Sequence, residues 1–253
     1  MELFEHYIKT DGITFKHARG KSVMTGKEFH IYHEIILFLN GKAELITEYS
    51  HTPILPDTLL IIPKETYHQL KIIGNQEDYH RCILNFTDAP IKELSLHKAD
   101  SEIKYLFSKL INNTQSNDKE RILNSVLILL LNKLSTEKQN DTAIISQNPI
   151  ILHCIDYINN NLKSKLSIEE LSNVCNTSVS GLSHLFKKEM NISLHKYIIE
   201  KRLIAAYRKI RLGETATTVY LECGFNDYSG FYRQYKKMFG FPPSHNERSL
   251  SND

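Results

Sequence analysis

The feature that most restricts this chain is an internal repeat near its C-terminus. Ser167-Ile-Glu-Glu-Leu-Ser-Asn-Val-Cys175 aligns with Thr215-Ala-Thr-Thr-Val-Tyr-Leu-Glu-Cys223 at an offset of 48 residues. Leu182-Ser-His-Leu-Phe-Lys-Lys-Glu-Met-Asn191 then aligns with Phe231-Tyr-Arg-Gln-Tyr-Lys-Lys-Met-Phe-Gly240 at an offset of 49, one extra residue falling in the second turn. Two copies are too few for a solenoid, whose units need several neighbours to bury a continuous core, so the repeat predicts a tandem module.

Each copy reads as a short capped helix, a tight turn and a longer helix. In the first, Ser167 with Glu170 has the spacing of a capping box, Leu171 and Val174 face inward, and Asn176-Thr177 form the turn. Asn tolerates the left-handed backbone such a turn needs, and Gly224 reaches it in the second copy without steric cost. The longer helix of the first copy starts near Ser178 and buries Val179, Leu182, Leu185, Phe186 and Met190, leaving Ser180, Ser183, His184 and Lys187 on the other side. In the second, Asp227 is the cap, Phe231, Tyr235 and Phe239 face inward, and Ser229, Tyr232, Arg233 and Lys236 face out. Gly181 and Gly230 stand at matching places near each helix start, where a missing side chain permits close approach of a neighbour.

A helix fits the major groove of DNA, and a polar first half followed by lysines lets side chains reach base edges while ammonium groups hold phosphates. Arg233 is the strongest base reader, because a guanidinium contacts guanine with two hydrogen bonds. The lysine pairs Lys187, Lys188, Lys236 and Lys237 suit phosphate. Charge agrees: residues 162–245 carry 13 basic and 7 acidic side chains, whereas 1–148 carry 17 and 19. The chain's formal charge of +2 averages two unlike parts, of which the basic one suits a polyanion.

The first 97 residues have a different period. Short β-rich runs at Ile31 to Leu39, Ala43 to Tyr49, Pro53 to Asp57, Leu59 to Ile62 and Arg81 to Phe86 predict a small antiparallel barrel or sandwich. Asn40-Gly41 is placed to close a hairpin. From residue 98 the pattern turns helical. Ile103, Leu106, Phe107, Leu110 and Ile111 form one stripe, and Ile122, Leu123, Val126, Leu127, Leu130, Leu131 and Leu134 another, predicting a helical hairpin over 98–136 that packs on the barrel or on a second copy. Residues 137–148 are polar and unpatterned, as a linker would be, and Pro149 can open the next helix. A helical domain then fills 149–246, with a polar tail at 247–253.

Leu166-Ser-Ile-Glu-Glu-Leu…Leu182-Ser-His-Leu-Phe-Lys-Lys…Arg202…Ala206…Gly224-Phe225…Phe231-Tyr-Arg-Gln-Tyr-Lys-Lys-Met-Phe-Gly240-Phe-Pro-Pro243 resembles the AraC/XylS family of bacterial transcriptional regulators over residues 150–245. The resemblance implies seven helices carrying two helix-turn-helix units joined by a linker helix, Leu194 to Arg211, with both recognition helices in successive major grooves. It places the base-facing positions on Ser180, Ser183, His184, Tyr228, Ser229, Tyr232 and Arg233. This chain departs from the family pattern at Ser172, at Tyr220 where Ala is usual, and at Asn191 where Gly is usual.

Phe29-His30-Ile-Tyr-His33-Glu34…Asn40-Gly41 and Leu55-Pro56-Asp57-Thr58…Pro63…His68 look like the two short motifs of a cupin barrel, a sensing domain common in the same family. Asp57 and Glu65 stand where that pattern has Gly. Enzymatic cupins hold a divalent metal, so His30, His33, Glu34, His68 and His80 are weighed as ligands. The pair here is His-x-x-His rather than His-x-His, which along a strand puts the imidazoles on opposite faces, and no metal is expected. A small-molecule pocket is preferred, with His17, Arg19, His30, His33, His68 and Arg81 as its polar groups; the two arginines suit a carboxylate or phosphate.

The reading excludes several classes. The longest apolar run, Val126 to Leu131, is six residues against the ~20 that span a bilayer, and the acidic start does not resemble an export signal. Cys82, Cys154, Cys175 and Cys223 are scattered, which suits buried thiols in a reducing cytoplasm rather than a disulfide framework. The expectation is a cytoplasmic, non-enzymatic regulator, more often an activator, with no cofactor and no membrane partner. Its partners would be double-stranded promoter DNA, a second copy through 100–134, RNA polymerase if it activates, and a small-molecule effector. The alternatives are a metal-dependent cupin enzyme fused to a DNA-binding domain and a ligand-independent DNA-binding dimer.

Overall fold

A computed structural model describes residues 5–20, 30–75, 78–87, 89–136, 145–146 and 148–244. The tail at 247–253 and most of the linker fall outside the described residues. The chain forms two compact units, Met1–Ser146 and Gln147–Asp253. Among the described residues no helix is long and apolar enough to cross a membrane.

The first unit holds two antiparallel sheets. Strands β1 (His6–Lys9), β2 (Ile13–Arg19), β3 (His33–Asn40), β6 (Thr58–Ile62), β8 (His80–Phe86) and β9 (Ser95–Lys98) form one, in the order β1-β2-β8-β3-β6-β9. Strands β4 (Ala43–Thr47), β5 (Ser50–Ile54), β7 (His68–Ile72) and β10 (Ile145–Ser146) form the other, in the order β10-β5-β4-β7. The Asn40-Gly41 expectation is corrected here: β3 pairs with β6 and β8, while β4 pairs with β5 and β7, so this turn carries the chain from one sheet to the other instead of closing a hairpin. Within the 137–148 segment, Ile145 and Ser146 pair with His51 and Ser50.

β3 is apolar almost throughout because both its faces are covered. Ile35 and Leu37 join Leu59, Cys82, Leu84 and Phe86 in one core, and Ile36 and Phe38 join Leu45, Leu60, Leu70 and Ile83 in the other, as alternating side chains on a strand require. The first core is closed by helices α1 (Ser101–Asn112) and α2 (Lys119–Thr136), which contribute Ile103, Phe107, Leu110, Leu123, Val126 and Leu130. Asp100 caps α1 by accepting from the Ile103 N–H at 2.9 Å, and Lys133 on α2 reaches Asp100 at 2.9 Å and Glu102 at 2.7 Å. Asp57 and Glu65 both adopt positive φ, +66° and +62°, so the backbone keeps a glycine conformation at positions where this chain carries a side chain.

The second unit is helical: α3 (Pro149–Asn160), α4 (Ile168–Val174), α5 (Val179–Met190), α6 (Leu194–Arg211), α7 (Ala216–Glu222) and α8 (Tyr228–Phe239). Asn148 caps α3 with Pro149 in its first turn, and Ser167 caps α4 through the Glu170 N–H at 3.1 Å. Glu170 does not complete a capping box in the expected sense, because its carboxylate accepts the Tyr157 hydroxyl at 2.8 Å and ties α4 to α3. Around α6, Tyr197 packs edge-on against Phe186 of α5, and Tyr207 stacks on Phe239 of α8.

Candidate nucleic-acid interface and histidine clusters

α5 and α8 are both 12 residues long, follow seven-residue helices and begin alike. The Ser178 hydroxyl accepts from the Gly181 N–H, and the Asp227 carboxylate accepts from the Gly230 N–H. A Cβ on Gly181 would stand 2.9 Å from Ser178 Oγ, and one on Gly230 would stand 2.8 Å from Asp227 Oδ2. The neighbour that a side chain at these positions would meet is therefore the helix's own capping side chain, folded over the first turn.

The turns before these helices take the left-handed conformation, Asn176 at φ +50° and Gly224 at φ +82°. Asn191 takes it at φ +50° after α5, as Gly240 does at φ +84° after α8, so the Asn preserves the backbone of the usual Gly.

Each helix splits into two faces. Leu182, Phe186 and Met190 are buried on α5, as are Phe231 and Tyr235 on α8. Opposite them Ser180, His184, Lys187 and Lys188 are exposed, with Ser183 half-buried; Ser229, Arg233, Lys236 and Lys237 are exposed, with Tyr228 and Tyr232 half-buried. Val179 is corrected: at 41% exposure it belongs to the open side. The departure at Tyr220 is absorbed by packing, its ring lying edge-on to Tyr228 with centroids 5.5 Å apart and tilted against Phe231 at 6.2 Å.

The six polar residues expected to form an effector pocket do not meet at one place. His30 and His68 converge on Glu34, whose Oε2 lies 3.4 and 3.3 Å from their Nε2 atoms; Glu34 and His68 are almost wholly buried. Burial alone would raise the Glu34 pKa, but the two imidazoles outweigh it and hold the carboxyl below its ordinary range. His33 lies apart, its Nδ1 accepting from the Lys64 N–H at 3.2 Å and its ring against Phe86. Arg81 is fully buried beside the Tyr79 ring. Arg19 is exposed at the end of β2, and His17 faces the opposite side of the sheet from Arg81, alongside His6 and His80. The strand alternation explains the scatter: side chains an odd number of positions apart in a register leave by different faces.

An open groove of about 570 Å³ at Asn40, Gly41, Leu55 and Ile73, and a second of about 250 Å³ at Ile61, His97, Leu131 and Leu134, are lined by none of the six. All four cysteines are buried, and burial pushes the Cys82 thiol up to about 12, which keeps it inert at neutral pH.

A family described as a helix-turn-helix domain matches residues 171–249. Over 226 residues the chain is 26% identical to LumQ of Photobacterium leiognathi, named as a probable transcriptional regulator, covering 85% of this chain and 89% of LumQ. It is 27% identical over 231 residues to YobQ of Bacillus subtilis, named as an uncharacterized HTH-type transcriptional regulator, covering 88% of this chain and 89% of YobQ. To the HTH-type transcriptional activator RhaS of Mannheimia succiniciproducens it is 21% identical over 247 residues, covering 96% and 88%.

Proposed function

We propose that this chain is a DNA-binding transcriptional regulator of the AraC/XylS family in which α4–α5 and α7–α8 act as two helix-turn-helix units that place α5 and α8 in successive major grooves. The observation that carries this reading is the matched outer face of the two helices: a polar first half and a lysine pair in the last turn, each opposite a buried apolar face. Ser180, Ser183, His184, Tyr228, Ser229, Tyr232 and Arg233 read bases; Lys187, Lys188, Lys236 and Lys237 hold phosphates. α6 is the linker helix that spaces the units. Binding of the purified chain to genomic fragments, with Lys187→Ala and Arg233→Ala compared on selected and unselected sites, tests the assignment. Equal selectivity in Arg233→Ala and wild type refutes it.

The β unit, read as a cupin-like barrel, senses a small molecule, and its helical hairpin joins two copies. Ligand binding then shifts the balance between domain arrangements through its different affinity for each. Activation through RNA polymerase is the preferred output, and the name of RhaS is in keeping with it. Because the six pocket residues are dispersed, the sensing groups are narrowed to the interior set His30, Glu34 and His68, with Arg81 as the anion-binding group. Thermal-shift screening of metabolites on the full chain tests sensing, and a ligand-independent dimer gives no shift.

A second reading, a metal-dependent barrel, is favoured by one observation. His30, Glu34 and His68 each offer a buried ligand atom, all within 4.8 Å of one another. Two imidazoles and a carboxylate suit iron, manganese or zinc. That reading requires stoichiometric metal in the purified protein, lost in Glu34→Gln.

A further inference from the structure

The β unit carries another convergence of histidines, on the face of the sheet turned away from Glu34, that sensing and DNA binding leave unused. His6 on β1 and His17 on β2 are directly opposed in the ladder, and their rings stack with centroids 5.2 Å apart. The Glu5 N–H donates to the His17 carbonyl at 2.9 Å, and its side chain brings Oε2 to 3.5 Å from His17 Nδ1. One ligand atom from each of Glu5, His6 and His17 lies within 4.8 Å of the others. His17 is only 5% exposed, and its Nδ1 has no hydrogen-bond partner.

We infer that Glu5, His6 and His17 hold a divalent transition metal of the zinc class, with His80 and Thr114 orienting the two imidazoles. The donor set, two neutral imidazoles and one carboxylate, is the borderline nitrogen and oxygen chemistry that zinc, cobalt and nickel accept, leaving a position for water. Metal–ligand bonds of about 2.0–2.1 Å put the atoms of a tetrahedral shell roughly 3.4 Å apart, close to the 3.5 Å between Glu5 and His17. Glu5 and His6 are open enough to solvent for an ion to enter.

The tautomers follow from the second contacts. His17 Nε2 lies 2.6 Å from His80 Nε2, so a proton on His17 Nε2 donated to His80 leaves the Nδ1 lone pair turned toward Glu5 and His6. His6 Nδ1 lies 3.3 Å from the Thr114 hydroxyl, in the loop between α1 and α2, which leaves its Nε2 for the ion. A lone pair facing a carboxylate is repulsive unless a cation stands between them. A bound ion would tie β1 to β2 and link both to the α1–α2 loop, stiffening the face on which the helices pack.

The test uses the full chain, stripped with a chelator, dialysed, and titrated with zinc against a chromogenic chelator and with cobalt for its visible absorption. The expected result is one equivalent that raises Tm, lost in His17→Gln and weakened at least tenfold in His6→Gln. Removing the orienting ring in His80→Ala should weaken it by about 10–100-fold. His68→Gln, which alters the interior cluster, should retain this equivalent. Unchanged zinc stoichiometry in both His17→Gln and His6→Gln, or loss in His68→Gln alone, overturns the site. Because His6 is half-exposed, an unchanged Tm of metal-free His6→Gln shows that lost binding is not lost folding.

Discussion

Gly224 lies against the guanidinium of Arg202: a Cβ there would stand 2.8 Å from Arg202 Nε and 2.5 Å from the Leu162 carbonyl oxygen. Arg202 donates from Nε to Leu162 O at 3.0 Å and from Nη2 to Ser164 O at 2.7 Å. One side chain of α6 thus fastens the turn between α3 and α4, and the turn between α7 and α8 closes over it. Glycine is required at 224 twice over, by φ +82° and by lack of space.

Gly224→Ala should therefore destabilise the helical unit by at least ~1–3 kcal/mol, the cost of forcing a side chain into that backbone region, with the contact to Leu162 adding to it. Denaturant unfolding followed by helical circular dichroism measures this. A loss below about 0.5 kcal/mol would mean the turn relaxes freely and that Arg202 does not hold it.

On DNA, Arg233→Ala and Lys236→Ala should fail differently. Losing a bidentate guanine contact removes ~1–3 kcal/mol of discrimination, or about 5–150-fold between the best site and a mismatched one. Losing a phosphate contact weakens all sites alike and lowers the slope of log K against log salt by ~0.9. Anisotropy titrations at several salt concentrations on matched and mutated sites separate the two. Identical behaviour of the variants would remove the distinction drawn between base-reading and phosphate-holding positions on α8.

Ile128 and Leu129 are 58% and 53% exposed on α2, and Tyr105 is 56% exposed on α1. If the helical hairpin joins two copies, Ile128→Glu with Leu129→Glu should weaken dimerisation tenfold or more, since covering a large apolar side chain contributes ~1.5–3 kcal/mol. Sedimentation velocity reads the oligomer and thermal unfolding checks the fold. A double variant as dimeric as wild type assigns the interface elsewhere.

Asp100 gives the α1 junction an acid limit. The Ile103 N–H, and then Lys133, hold its carboxyl below the ordinary value of 3.8. The unfolded chain binds a proton there before the folded one does, so the contribution is complete above about pH 4 and is lost as pH falls through the lower folded value. Asp100→Ala should cost ~0.5–2 kcal/mol at neutral pH as a lost cap, whereas Asp100→Asn keeps a capping acceptor and should flatten the acid slope. Unfolding followed between pH 2 and pH 7 compares the three proteins, limits that lie roughly two units below and roughly three above the ordinary carboxylate value. An Asn variant with the wild-type slope would assign the titration to another group.

How far the sequence could be read depended on how local the causes were. The faces of α5 and α8, the caps at Ser167 and Asp227 and the left-handed turns at Asn176 and Gly224 are set within a few residues, so periodicity and turn chemistry reveal them. Val179 was misplaced because a helical stripe does not say where the core stops. Asn40-Gly41 misled for a related reason: the dipeptide specifies a turn, but whether β3 and β4 pair or part depends on β6, β7 and β8 competing for the same edges. At Asp57 and Glu65 the sequence suggested a departure, yet the backbone kept the glycine-like φ, held in part by Asp57 N–H to Phe38 O at 2.7 Å and Glu65 N–H to His30 O at 2.8 Å.

The sequence by itself determined the two-part organisation, the helical repeat with its basic outer face, and the resemblance of that repeat to AraC/XylS regulators, because each follows from spacing along one chain. Only the tertiary structure decided which histidines meet. His30 and His33 are three residues apart and face different surroundings, whereas His30 and His68, and His17 and His80, are distant in sequence and adjacent in space. Strand register sets those meetings, and register is fixed by the pairing of the whole sheet, which no short stretch of the chain encodes.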